Sequence, residues 1–348
     1  MTDKYGKSLI NLLSHKKSFF DSNDDLLSDL KSINDVYIKQ PRRKHCKNCN
    51  SKLLGSSFVK QNVKYIICHK CEHLNGSHED TDEFCSALYT EDDGQKYASN
   101  YNVKNISEYN KRVTDIYLPK AKYLKKSLLT IEKKPELLSY VDFGAGSGYF
   151  ISAMRKAGFS NSIGYEVSKS QTEMGNSILG RKSIILHSKN DTLNIINSLT
   201  ADVVSMIGVL EHLQNPRDVL SALKKNTNFR FLFISVPTFS PSVFLEAVFP
   251  EAMHRQLSGG HTHLYTEKSL EHLISEFDLK KVSAWWFGAD MMDFYRFIYT
   301  SLKANKDTQE IVEEWSKVFI PLMDQMQIEI DKKHLSSEVH MLLEFPRD

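Results

Sequence analysis

The sequence predicts an α/β fold: a doubly wound, Rossmann-like sheet with a small cysteine-bearing unit on its N-terminal side. Three observations carry this. Ser139–Phe143 is a short β-branched and aromatic run that ends in a glycine-rich turn, Gly144-Ala-Gly-Ser-Gly148, and the next residues show helical spacing at Phe150, Ile151 and Met154. Ser162–Glu166, Ile184–His187 and Phe229–Pro237 read as strands that follow, with Ala201–Leu213 as the fourth strand and its loop. Cys46-x-x-Cys49 and Cys68-x-x-Cys71 are spaced as the two knuckles of a four-cysteine zinc ribbon.

A chain of 348 residues holds a full α/β domain and a smaller one, and its 41% hydrophobic and 25% charged residues are those of a globular protein. A net charge of +2 argues against general attraction to nucleic acid. Thr2–Lys17 lacks the apolar core of a signal peptide, and no run is long enough to span a bilayer, so no membrane insertion is expected. Four of the five cysteines form C-x-x-C pairs, which without an export signal point to a metal and to a cytoplasmic protein.

Residues 1–40 show helical spacing at Leu9, Leu12 and Leu13, then at Leu26, Leu27, Leu30 and Ile33, with Ser22 or Asn23 as a cap. Arg42-Arg43-Lys44 is a solvated face or a phosphate contact. In the ribbon, 41–80, Cys46, Cys49, Cys68 and Cys71 make a closed tetrahedral site. Such a site leaves no position for substrate, so the zinc is structural, supplying on the order of 10 kcal/mol or more to folding. His45, His69 and His73 are alternative ligands that four cysteines make unnecessary. An iron–sulfur cluster is a second option that the ribbon spacing disfavours. Cys85 is a small buried hydrophobe.

Residues 81–135 are tyrosine-rich and helical, with Tyr97 and Tyr101 at i, i+4. The main domain, 136–348, opens on the glycine turn. Such a turn lets a ligand approach the backbone and exposes the N–H groups of the next helix. The spacing is not that of the dinucleotide fingerprint. An acid, Asp142, precedes the first glycine by two residues, and a second, Glu166, ends the next strand, where a carboxylate accepts the two hydroxyls of a ribose.

Asp142-x-Gly144-x-Gly146-x-Gly148 resembles motif I of the class I S-adenosylmethionine-dependent methyltransferases, and the resemblance spans roughly Lys120 to Lys281. Gly208-Val-Leu-Glu-His-Leu213 is similar to that family's EHL signature at the end of the fourth strand. The resemblance implies a seven-stranded methyltransferase sheet, with Lys281–Phe287 sixth and Glu338–Phe345 seventh and antiparallel. It implies S-adenosylmethionine bound by Asp142, Gly144, Ala145, Gly146, Gly148, Glu166, Gly208 and Glu211. The helical segment 81–135 would cover the cofactor pocket, and Ser188–Asp191 would lie by the adenine.

His212 is either the base, or a residue that positions the acceptor, or one that only holds its loop. The segment 238–265 follows the fifth strand as a substrate lid, and in it His261 and His263 are further base candidates. His263-Leu-Tyr265 alternatively anchors the next helix. Trp285-Trp-Phe-Gly-Ala-Asp290 is core packing or a wall against a sugar. Residues 308–333 form an amphipathic C-terminal helix that Pro321 kinks.

No Asn-Pro-Pro-Tyr or Asp-Pro-Pro-Tyr is present, and residues 86–348 hold no cysteine, which excludes the usual amino and cytosine-C5 methyltransferase chemistries. The ribbon ahead of the domain resembles bacterial nucleotide-sugar and polysaccharide methyltransferases. That implies carbohydrate biosynthesis: methyl transfer to a hydroxyl, or alternatively a carbon, of a sugar, nucleotide sugar or polysaccharide precursor. The rivals are an RNA methyltransferase whose ribbon binds RNA, and a non-catalytic binding module.

Overall fold

The computed structural model describes residues 3–16, 18–89, 105–180, 182–257 and 260–346. Tyr97 and Tyr101 lie outside them. The strands are β1 (Lys4–Tyr5), β2 (Ser57–Lys60), β3 (Val63–Ile67), β4 (Leu74–Gly76), β5 (Tyr140–Phe143), β6 (Ser162–Glu166), β7 (Ile184–Leu186), β8 (Val203–Ile207), β9 (Phe231–Pro237), β10 (His263–Leu264), β11 (Lys280–Phe287) and β12 (Glu338–Glu344).

The main sheet has eight strands in the order β1-β11-β12-β9-β8-β5-β6-β7. β12 alone runs antiparallel, against both β9 and β11. This corrects the expected seven strands: β1 adds an eighth at the edge, parallel to β11, with Lys4 opposite Trp285 and Tyr5 opposite Trp286. Gly6 N–H donates to the Trp286 carbonyl at 3.2 Å, and Trp285 Nε1–H donates to the Gly6 carbonyl at 3.0 Å. Two residues are too short for any periodic signal, so only these contacts reveal the strand.

Helices cover both faces, and the central strands accordingly read as continuous apolar runs; every residue of β9 is buried. Val141, Val204, Leu232 and Ile234 pack with Leu220 and Leu223 on one face. Tyr140, Val203, Phe231 and Phe233 pack with Leu124, Phe150 and Met154 on the other. Trp285 and Trp286 are each 1% exposed, so the aromatic segment is core and not a pocket wall.

The second sheet is the ribbon, ordered β10-β4-β3-β2 and antiparallel throughout. Its fourth strand, β10, comes from the segment expected as a lid. That segment is not a free loop: it forms a helix, Pro241–Val248, and then docks on the ribbon with His263 opposite Asn75. Arg43 is also corrected. Its side chain is covered, donates to Asp80 at 2.9 Å and pairs with Glu79 at 3.0 Å, and is neither solvated nor a phosphate contact.

The C-terminal helix is broken, not kinked, at Pro321: Val312–Phe319 and Met323–Asp331 flank a tight turn at Ile320–Leu322. Proline supplies no N–H for the preceding turn and its ring collides with it. A further helix, Asp290–Ala304, carries no clear signal in the sequence, because buried Asp290, Asp293 and Arg296 interrupt its apolar spacing.

Candidate active site

Chain direction reverses between β5 and β8: β5 leads outward to β6 and β7, and β8 leads the other way to β9. Doubly wound sheets bind ligands outside the carboxyl ends of the strands at such a point. The glycine turn lies there. Gly144, Gly146 and Gly148 have φ of +67°, +53° and +74°, a left-handed backbone that glycine adopts without strain. A Cβ on Gly144 would lie 2.5 Å from Val209 Cγ2, and one on Gly146 would lie 2.8 Å from Gln171 Oε1. The N–H groups of Gly144 and Ala145 both donate to the Tyr165 carbonyl, at 2.9 and 3.1 Å, which fixes the turn against β6.

Asp142 is buried and accepts from Ser205 Oγ at 2.6 Å, a rung between β5 and β8; burial pushes its carboxyl up to about 7. Glu166 is 6% exposed. Its Oε2 accepts from Gly146 N at 2.8 Å, and its Oε1 accepts from Val167 N at 2.9 Å and Ser168 N at 2.8 Å. A carboxylate has about four acceptor positions, so this leaves one, on Oε2. Holding both ribose hydroxyls therefore requires the Gly146 contact to give way. Burial raises the Glu166 pKa, and the three N–H donors oppose the rise.

His187, not singled out in the sequence, ends the β7 segment. Both of its ring nitrogens are buried without a hydrogen-bond partner among the described residues, beside Tyr165 and Phe143. Orphaned buried nitrogens at this edge are what a bound base would satisfy. Tyr109 and Tyr117 stack on Tyr149, with centroids at 4.5 and 5.2 Å, and Tyr109 OH donates to the Ser147 carbonyl at 3.0 Å. The tyrosine-rich helix thus seals the back of the glycine turn. The glycine turn, Glu166 and the orphaned His187 fit an adenosyl cofactor.

At the end of β8, Gly208 has φ +70°, and the chain enters the short helical turn Leu210–His212. Glu211 is 3% exposed, its Oε2 has no partner among the described residues, and burial pushes its carboxyl up to about 8. The His212 and His261 rings lie 5.0 Å apart between centroids. One ligand atom from each of Glu211, His212 and His261 falls within 4.8 Å of the others, close enough for a cation. His261 Nδ1–H donates to the Gln256 carbonyl at 3.0 Å, and His212 bonds to the Gly260 backbone. Burial holds both imidazoles below the ordinary 6.5, so both are neutral near pH 7.

His263 stands apart from this pair. It is 1% exposed, on β10, with Nδ1 2.8 Å from His73 Nε2 of the ribbon. His73, expected only as a spare metal ligand, is taken up by this contact.

The four ribbon thiols are buried, with Cys46 Sγ–Cys71 Sγ and Cys49 Sγ–Cys68 Sγ each at 3.7 Å. Thiolates 2.3 Å from a tetrahedral ion lie about 3.8 Å apart, so the set fits zinc. Asn75 Nδ2 and Asn48 Nδ2 donate to Cys46 and Cys71, the sulfur hydrogen bonds that a thiolate site needs. The ribbon is clamped to the main domain beside the site: Gln214 Nε2 donates to the Asp80 carbonyl at 2.8 Å, and Arg217 donates to the Asn48 carbonyl at 2.6 Å.

Residues 113–284, just under half of the chain, match a family model described as a methyltransferase domain. No match is found among curated proteins. Among solved structures, the chain is similar to the methyltransferase domain of a bacterial Hen1, CtHen1-CN, at 17% identity and a TM-score of 0.41, over 66% of this chain and 100% of that one. It is similar to the plantazolicin methyltransferase BpumL in complex with SAH at 13% identity and a TM-score of 0.45, over 76% and 94%. The plantazolicin methyltransferase BamL is matched at 14%, 0.45, and 76% and 94%.

Proposed function

We propose that this chain, which is an S-adenosylmethionine-dependent methyltransferase, moves the methyl group onto a hydroxyl of a small sugar-like acceptor, a nucleotide sugar or polysaccharide precursor. The observation that carries the reading is the pair of neutral imidazoles, His212 and His261, beside the end of β8 and one strand from the glycine turn. Asp142 and the turn Gly144–Gly148 would hold the methionine half of the cofactor, and Glu166 a ribose hydroxyl. The sulfonium supplies an already activated methyl. The protein aligns the acceptor and takes its proton.

The Gln256 carbonyl holds the proton on His261 Nδ1, which leaves Nε2 as the acceptor nitrogen. The Gly260 backbone similarly occupies one side of His212. His263 serves as an anchor between domain and ribbon, not as a base. Alanine at His212 and at His261 should each lower kcat by about a hundredfold while SAH affinity stays within about twofold. Unchanged turnover in both would remove the pair from the chemistry.

One observation favours a second reading: the three ligand atoms of Glu211, His212 and His261 fall within 4.8 Å of one another. A divalent cation there would bind the acceptor oxygen directly. Activity that disappears on dialysis against EDTA and returns with Mn2+, at constant ribbon zinc, would favour it over the base. The RNA reading loses support because Arg43, ahead of the first knuckle, and Lys47, inside it, are spent on Asp80 and Glu79. We assign the ribbon's thiolates to one structural zinc, which suits a reducing, cytoplasmic setting. Among the described residues no helix is long and apolar enough to cross a membrane.

A further inference from the structure

We propose that the acceptor carries a phosphate or diphosphate group, and that Lys7 and Lys16 form the subsite that holds it. This rests on the methyl-transfer reading above.

The two lysines come from the N-terminal segment, whose helical spacing carries no chemical motif. β1 ends at Tyr5 on the carboxyl edge of the sheet, and Lys7 follows directly. Its ammonium sits 5.2 Å over the ring of Phe287, the last residue of β11. Phe287 pairs with Glu338, and Glu338 with Pro237, so Lys7 stands beside the ends of β11 and β9. Lys16 caps the helix Leu9–His15, and its neighbour His15 bonds to Asp115 at 2.8 Å.

Three more cations converge here from other segments. Lys120 pairs with Glu338 at 3.3 Å, and Arg255 pairs with Asp293 at 2.8 Å and donates to Ser337 Oγ at 3.0 Å. Arg112 lies over the Tyr149 ring at 5.2 Å and within electrostatic reach of Lys16. Glu338 and Asp293 are thus matched by Lys120 and Arg255. Lys7 and Lys16 remain. Among the described residues neither ammonium makes a hydrogen bond or an ion pair; each rests on an aromatic ring, Lys16 on Phe19 at 4.7 Å, and the two lie within electrostatic reach of each other.

Both lysines are half-buried, and cations drawn part-way out of water are ordinarily paired. Burial and the surrounding cations push the Lys7 ammonium down to about 7 and that of Lys16 to about 8, against an opposing pull from Glu338 on both and from Asp293 on Lys16. Glu338 is shared with Lys120 and balances the two lysines only in part, and a dianion between them would supply the rest. Lysine ammoniums on flexible stems suit a phosphate that needs charge more than fork geometry. The location fits a two-ended acceptor, because Arg255 and Glu338 also act electrostatically on His261, and Lys120 and Glu338 on Glu211. A hydroxyl at the histidines and a phosphate at the lysines describe one phosphorylated or nucleotide-linked sugar.

The test is calorimetric titration of inorganic pyrophosphate into the full zinc-loaded chain, wild type, K7Q, K16Q and the double variant. SAH is titrated in parallel. The expected result is pyrophosphate binding that weakens about tenfold per lysine removed. SAH affinity stays the same, and melting temperatures without ligand are no lower than wild type. Pyrophosphate should raise the melting temperature of the wild type and not of the double variant. Equal pyrophosphate affinity in wild type and double variant would overturn the subsite, as would no wild-type binding alongside intact SAH binding. Failure of the wild type to bind SAH would instead sink the methyl-transfer reading, and the pyrophosphate arm would still decide the subsite.

Discussion

His73 of the ribbon and His263 of the segment after β9 lie 2.8 Å apart, Nε2 to Nδ1, both buried, with one ring nitrogen donating to the other. The contact ties the ribbon to the strand that leads back from His261. Opposite it, Gly76 N–H donates to the Thr262 carbonyl at 2.7 Å. The ribbon is therefore the wall on which the His261 segment is built.

Loss of the ribbon metal should act on the acceptor side before the cofactor side. In Cys71→Ser, or after zinc is stripped with a chelator, β10 loses its partner while the glycine turn keeps its own contacts. The acceptor KM should rise about tenfold or more, with SAH affinity changed far less. Equal loss of both would show that the ribbon supports the fold as a whole.

Gly146→Ala should weaken SAH binding by about tenfold or more and cost about 1–2 kcal/mol of stability. The new Cβ meets Gln171 Oε1 at 2.8 Å on a backbone with φ +53°. Gln171→Ala in the same background relieves the collision but not the left-handed strain. Binding that recovers fully in the double variant would contradict the strain.

Lys60, Glu246 and His254 form a buried triad between β2 and the helix Pro241–Val248. Lys60 Nζ donates to Glu246 Oε2 at 2.9 Å and to His254 Nδ1 at 2.8 Å. Removing one partner leaves a buried charge unmatched, so Glu246→Gln should cost about 3–5 kcal/mol in chemical denaturation.

The same triad sets an acid limit. Burial and Lys60 push His254 down to about 4 from 6.5, and Lys60 draws Glu246 down to about 2 from 4.5. Below pH 6.5 the unfolded histidine takes a proton that the folded one refuses; below 4.5 the carboxylate does the same. Stability should be full above pH 6.5 and fall on acidification. The histidine accounts for on the order of 3 kcal/mol by pH 4. A flat stability profile from pH 7 to 5 would contradict this.

The rate should also lack a limb at ordinary histidine values. Burial holds His212 and His261 below 6.5, so kcat should stay level from pH 7 down to 6.5 and fall only beneath it. A limb centred above 6.5 would show that neither histidine is the base.

Much of the fold was legible because it is written in local patterns. β6 runs from Ser162 to Glu166 and the helix after the glycines from Tyr149 to Lys156, as their apolar spacing indicates. β1 was illegible because two residues carry no period, and the helix Asp290–Ala304 because its buried face is partly charged, with Asp293 held by Ser242, Arg255 and Arg296. In the site, Glu166 and the glycines stand out in sequence. His187 does not: a lone histidine after three apolar residues is distinguished only by its orphaned nitrogens. Lys7 and Lys16 are ordinary surface lysines in sequence, and only the topology carries them to the carboxyl edge of the sheet.

The most direct measurement is transfer of labelled methyl from S-adenosylmethionine into a cell extract. The extract is separated into phosphorylated small molecules, neutral saccharides, polysaccharide and RNA. Label is expected in the phosphorylated small-molecule fraction, lost in His261→Ala and reduced in K7Q/K16Q. Label confined to RNA, or to neutral compounds and indifferent to both lysines, would contradict it.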